Sequence, residues 1–156
     1  MQISDRDSFL EAASQGKNFI PLVNSWPADL ETPLSTWLKI KKEGTPGVLL
    51  ESVEGGDTLG RWSVVASDPL WVATIRGKKT ILSKRSLEEQ EFFGNPFELL
   101  RTFLEKYKSD VIPGLPALGQ LYGMWGYELI KWIEPKVPVH AHLQKQKSFP
   151  DGVWMF

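Results

Sequence analysis

The chain has 156 residues, 18 Lys and Arg against 19 Asp and Glu, and no cysteine. That length suits one domain with a real core; the net charge of −1 leaves no basic surplus for nucleic acid or an anionic membrane; and the lack of cysteine excludes disulfides, thiolate metal sites and thiol catalysis. No apolar run approaches the roughly 20 residues that span a bilayer, and Met1-Gln2-Ile3-Ser4-Asp5 lacks the basic-then-apolar pattern of a signal peptide, so the expected compartment is the cytoplasm.

Ser4 as N-cap, with Asp5 and Asp7 at the positive end of the dipole, predicts a first helix. Phe9, Leu10 and Ala13 form its apolar stripe and Gly16 its stop. Phe19 to Val23 reads as a short strand broken by Pro21. Thr32-Pro33 opens a second helix, a cap followed by proline at the first helical position, where its missing N–H is harmless. Leu34, Trp37 and Leu38 give that helix its buried face, and Gly44-Thr45-Pro46-Gly47 ends it. Strands are expected at Val48 to Ser52, Arg61 to Ala66 and Leu70 to Ile75, with Arg76-Gly77-Lys78 turning into Thr80-Ile81-Leu82. Lys84 to Gln90 is polar and reads as a solvated connection.

Asn95-Pro96-Phe97-Glu98 is the clearest helix start, combining an N-cap, proline and a glutamate placed for a capping box. Phe97, Leu100, Phe103, Leu104 and Tyr107 then share one face, which predicts a helix from about Pro96 to Lys108. Glycines at Gly119, Gly123 and Gly126, set among Leu121, Tyr122, Met124, Trp125 and Tyr127, point to bends or close backbone approach. A short helix follows near Glu128 to Ile133, and Gly152-Val153-Trp154-Met155-Phe156 reads as a strand. The sequence stops inside that apolar run, so the chain is expected to be a piece of a longer protein, with apolar surface around Val153 to Phe156 that favours self-association. Antiparallel strand pairs flanked by helices make the fold class α+β, in one domain over 1–156.

Several residue groups invite a chemical reading. His140 and His142 are spaced to share a metal, but no third ligand lies nearby in sequence, which favours solvated loop histidines. Glu51, Glu54 and Asp57 sit beside Gly55-Gly56, where turn chemistry explains them better than an acid–base pair. The glycine-rich run from Glu54 to Arg61 lacks the Lys-Ser/Thr of a phosphate-binding P-loop. Of the seven tryptophans, most are assigned to core packing. Glu51 resists a bland account, being a charge set in an apolar strand. Either it faces a partner or cavity that suits a ligand ammonium group, or it lies in water on an edge.

Taken together, the motifs resemble a known family. Leu49-Leu50-Glu51-Ser52-Val53-Glu54-Gly55-Gly56, then Gly60-Arg61-Trp62-Ser63 and Asp68-Pro69, are similar to the N-terminal region of the anthranilate synthase component I family of chorismate-utilising enzymes. Ala28-Asp29-Leu30-Glu31-Thr32-Pro33 upstream, and Gly119 to Glu128 with Phe149-Pro150-Asp151 downstream, match in order and spacing. Gln120, Tyr122, Met124, Glu128 and Lys131 depart from the family pattern, and aminodeoxychorismate synthase component I shares much of this architecture. The rival outside these enzymes is an autonomous aromatic-ligand-binding module using the tryptophans.

The resemblance implies an α+β region within a larger layered assembly. It implies a lyase forming anthranilate and pyruvate from chorismate, with ammonia from a glutamine amidotransferase subunit. In that family chorismate and Mg²⁺ belong to a C-terminal chorismate-binding domain, so no catalytic residue, metal site or cofactor is assigned to this chain. It further implies a feedback site for tryptophan, here at Leu50, Glu51 and Ser52, with Pro33 as a weaker member. Physically, a free tryptophan zwitterion needs an ammonium partner, which Glu51 supplies, and an apolar slot, to which Leu50 contributes. Adjacent strand residues face opposite ways, so Glu51 and Ser52 share a pocket only through a bulge or a backbone contact.

Overall fold

The computed structural model describes residues 6–51, 62–85, 88–109, 121–138 and 149–156. The fold is α+β, and every strand pair is antiparallel. The elements are α1 (Arg6–Ser14), α2 (Pro33–Ile40), β1 (Gly47–Leu50), β2 (Val64–Ser67), β3 (Trp71–Arg76), β4 (Lys79–Lys84), β5 (Glu88–Phe93), α3 (Pro96–Leu104), β6 (Tyr122–Trp125), a 3₁₀ turn (Tyr127–Leu129), α4 (Ile130–Ile133) and β7 (Gly152–Met155). They gather into two compact units, the first of residues 1–68 and 103–120, the second of residues 69–102 and 121–156.

In the first unit α2 packs on a two-stranded sheet formed by β1 and β2, paired from Gly47↔Ser67 to Leu50↔Val64. Helix α1 ends before Gly16 as expected, but its buried residue is Ala12, while Phe9, Leu10 and Ala13 stay exposed. Close packing there goes through a methyl group rather than through the larger side chains. The expected strand at Phe19 to Val23 does not form. Pro21 has no N–H to offer a ladder, and the segment is tied down differently. The N–H groups of Asn18 and Phe19 both donate to Lys108 O. The Asn18 side chain donates to Lys106 O and accepts from Lys108 N, each at 2.6 Å. These bonds occupy residues 106–108, and α3 stops at Leu104 instead of reaching Lys108.

The second unit is a five-stranded sheet in the order β5-β4-β3-β7-β6. The stretch read as a solvated connection is in part β5, drawn into the sheet by its register with β4, from Lys84↔Glu88 to Lys79↔Phe93. An ion pair between Lys79 and Glu91 crosses the two strands. Helix α3 starts as predicted, with Asn95 Oδ1 accepting from Phe97 N at 3.0 Å. Phe97 stacks on Trp125 at 5.3 Å between ring centroids, and Trp125 packs at a tilt against Trp154 at 4.6 Å. The crowding expected at Gly123 is real, because a Cβ there would lie 1.9 Å from Val153 O. Gly119 lies outside the described residues.

Two expectations about apolar surface are overturned. The run from Val153 to Phe156 is no open edge: β7 is paired to β3 on one side and β6 on the other, and Trp154 is 1% exposed. Trp154 is also the one buried tryptophan of the seven, with Trp26, Trp62 and Trp125 exposed and Trp37, Trp71 and Trp132 half-buried. An indole rarely vanishes completely in a small unit, because its area exceeds what one neighbouring layer covers. Among the described residues, no helix is long and apolar enough to cross a membrane.

Candidate functional site

Of the effector-site residues expected from the sequence, Pro33 lies on α2, Leu50 on β1 and Glu51 directly after β1. The helix begins where the sequence requires. Thr32 is an extended N-cap whose Oγ1 accepts from Ser35 N at 3.0 Å, and Ser35 Oγ returns the bond by accepting from Thr32 N at 2.9 Å. This capping box satisfies donors that a helix start otherwise leaves open, and Pro33 follows with none to satisfy. Ser35 Oγ also donates to Glu31 Oε2 at 2.7 Å, and Lys39 pairs with the other carboxylate oxygen. The Lys39 hydrogen bond and then the Ser35 hydroxyl hold the Glu31 carboxyl below its ordinary value of 4.5, against the opposing effect of desolvation.

Helix α2 is seated by its aromatic residue. A Cβ placed on Gly47 would lie 2.4 Å from Trp37 Cη2, so the indole occupies the space where any other residue of β1 would carry a side chain. Gly47 and Leu49 share that face by the two-residue period of a strand. Past the helix, Lys42 pairs with Asp68, which follows β2 directly. Leu34 and Leu38, expected on the buried face, are instead 54% and 56% exposed. The helix meets Gly47 of β1 with the ring of Trp37 and shows Leu34 and Leu38 to solvent.

Pro33 is half-buried at the first helical position of α2. Leu50 is the last residue of β1, paired with Val64 and 47% exposed. Glu51 comes directly after the last paired residue and is exposed. Ser52 lies outside the described residues, as do Glu54, Asp57, Gly55, Gly56, Arg61, His140 and His142. The structure therefore brings the strand ending at Leu50 and the helix beginning at Pro33 into one packed unit. What it adds is Glu31, Ser35 and Lys39, which brace the start of the helix, and Trp37 and Gly47, where helix and strand meet. The signal for the cap was present as Thr32-x-x-Ser35, but nothing local pairs Trp37 with Gly47.

In the second unit, a cleft of about 380 Å³ lies beside the start of α3, lined among others by Thr80, Phe92, Phe93, Glu98 and Leu99. Among the described residues, no group of three or more His, Asp or Glu side chains is placed to hold a metal.

Comparison with known proteins completes the picture. No family model matches the chain. Anthranilate synthase component 1 of Synechocystis sp. is 46% identical over 148 residues, taking in 94% of this chain and 28% of that protein. The protein of the same name from Acetivibrio thermocellus is 37% identical over 142 residues, covering 89% of this chain and 28% of its own length. That from Pseudomonas putida is 34% identical over 137 residues, again with 28% of its own length covered. The chain thus spans little more than a quarter of the length of the curated relatives it matches. With the four motifs in order and nearly the whole chain aligned, it belongs to the anthranilate synthase component 1 family, as a counterpart of that family's N-terminal region.

Proposed function

We propose that this region serves a longer protein that converts chorismate and ammonia to anthranilate, pyruvate and water, and that it contributes the feedback site for tryptophan. The observation that carries the reading is the 46% identity across 94% of the chain to a protein named anthranilate synthase component 1. Chorismate, Mg²⁺ and the ammonia-delivering glutamine amidotransferase subunit are assigned to parts of the assembly other than this chain. The role of this region is regulatory and structural, and the protein works in the cytoplasm.

The geometry supports the effector role in a specific way. A tryptophan zwitterion carries an ammonium group, a carboxylate and a broad apolar ring. Glu51 leaves its carboxylate free of the β1 ladder, in solvent, at the end of a strand whose last residue, Leu50, is itself half open. Among the described residues, Glu51 has no hydrogen bond or ion pair that an incoming ammonium group would first have to break, and the exposed Leu50 side chain offers the ring an apolar wall. The ligand's own carboxylate requires a donor from elsewhere in the assembly. Inhibition then follows if tryptophan favours one arrangement of the assembly over another, with coupling of about 1–3 kcal/mol.

Removing the carboxylate tests the assignment. In the full-length protein, Glu51→Ala is expected to raise the half-inhibiting tryptophan concentration about tenfold or more, read against the variant's own uninhibited rate. Inhibition unchanged from wild type removes Glu51 from the site.

A further inference from the structure

We propose that the Trp37–Gly47 contact is the positioning element of the effector site, setting helix α2 on strand β1 so that the Pro33 end of the helix and the Leu50–Glu51 end of the strand hold one fixed separation. This inference rests on the functional reading above and deepens it.

The argument begins with space. A Cβ on Gly47 would sit 2.4 Å from Trp37 Cη2, 2.6 Å from Cζ3 and 2.8 Å from Ala66 O. Real Cβ atoms show no such approaches, so the ring of Trp37 is pressed on bare backbone, and a side chain at this strand position would force the ring to shift. Leu34, Leu38 and Ile40, the other large apolar residues of α2, are all exposed, which leaves half-buried Trp37 as the most covered of them. A further attachment is a largely exposed ion pair, Lys42 with Asp68, just past the end of the helix. Exposed pairs of this kind hold a helix weakly.

The contact is also well placed. Trp37 lies one helical turn from Pro33, about 6 Å along the axis. Gly47 lies three residues before Leu50, about 10 Å along the strand. A shift of α2 at this seat therefore moves Pro33 relative to Leu50 and Glu51 as one body. The helix itself is stiffened at that end by the Thr32–Ser35 capping box and the Glu31–Lys39 pair, so displacement at Trp37 is transmitted to Pro33 and not absorbed by fraying. Gly47 and Trp37 need not touch the ligand to act on it. They are positioning residues.

The test is made in the full-length protein, with three variants read for uninhibited rate, tryptophan inhibition and tryptophan binding by calorimetry. Gly47→Ala is expected to raise the half-inhibiting concentration and the binding constant together by about tenfold, with the uninhibited rate within about twofold of wild type. Trp37→Phe, which shortens the ring while keeping an aromatic, is expected to fold and to shift inhibition by about threefold. The pair together is expected to recover at least part of the loss, because the shortened ring vacates the space the new methyl enters. That recovery is something a merely destabilising substitution does not give. Inhibition unchanged in Gly47→Ala, while Glu51→Ala abolishes it, overturns the positioning role and leaves the site assignment standing. A fall in uninhibited rate and thermal stability in parallel with inhibition, without recovery in the pair, also overturns it. Inhibition unchanged in Glu51→Ala shows that the underlying reading has failed, and this proposal with it.

Discussion

Asp151 is 3% exposed and accepts the Gly77 N–H at 2.6 Å. Its own N–H donates to Ile75 O, and its carbonyl accepts from Gly126 N. One residue thus ties the turn between β3 and β4 to the end of β6 and the start of β7. Because a buried N–H left without its acceptor carries a desolvation cost, Asp151→Ala is expected to destabilise the protein by about 1–3 kcal/mol in chemical denaturation, and Asp151→Asn, which keeps an oxygen acceptor, by less. Equal loss in both variants would point to charge, not to this bond. In the sequence Asp151 is visible only as the last letter of a motif. Its partner Gly77 stands 74 residues away, and no periodicity connects the two. Glu51 shows the opposite limit. The sequence raises the question of a charge in an apolar strand, but the answer needs the end of the β1 ladder, which falls at Leu50.

Elements are legible where their signals are local. Helix α2 starts at Pro33 because Thr32 and Ser35 exchange hydrogen bonds across its first turn, and all of that information lies within four residues. Thr32→Ala is therefore expected to lower stability by about 0.5–2 kcal/mol, measured by thermal or chemical unfolding, with Thr32→Ser close to neutral. The buried face of the same helix is not legible in this way. Leu34, Trp37 and Leu38 fit one stripe, but which of them meets the sheet depends on where β1 offers a residue without a side chain. Strand β5 shows the same dependence more strongly. Glu88-Glu89-Gln90-Glu91 carries no alternation of apolar and polar residues, and it becomes strand because β4 presents Lys84 and Lys79 opposite Glu88 and Phe93, with Lys79 also reaching Glu91. Cross-strand partners of this kind contribute to pairing, yet they cannot be read from the strand alone.

At the scale of the molecule, the fold class follows from the succession of short strands and capped helices, and the family follows from motifs spread along nearly the whole chain. The place of β7 does not. An apolar run at residues 152–156 suggests a strand, but only the assembled sheet puts it between β3 and β6. The exposed apolar residues of the first unit, among them Leu22, Trp26, Leu30, Leu34 and Leu38, contrast with its buried ones, Ala12 and Phe103 among the described residues. That balance accords with a region matching about 28% of the length of its relatives. The most direct measurement is product formation by the full-length protein from chorismate and ammonia with Mg²⁺, in the absence and presence of tryptophan. Anthranilate and pyruvate are expected in equal amounts, with their formation suppressed by tryptophan. Accumulation of aminodeoxychorismate in place of anthranilate, or anthranilate formation indifferent to tryptophan, would contradict it.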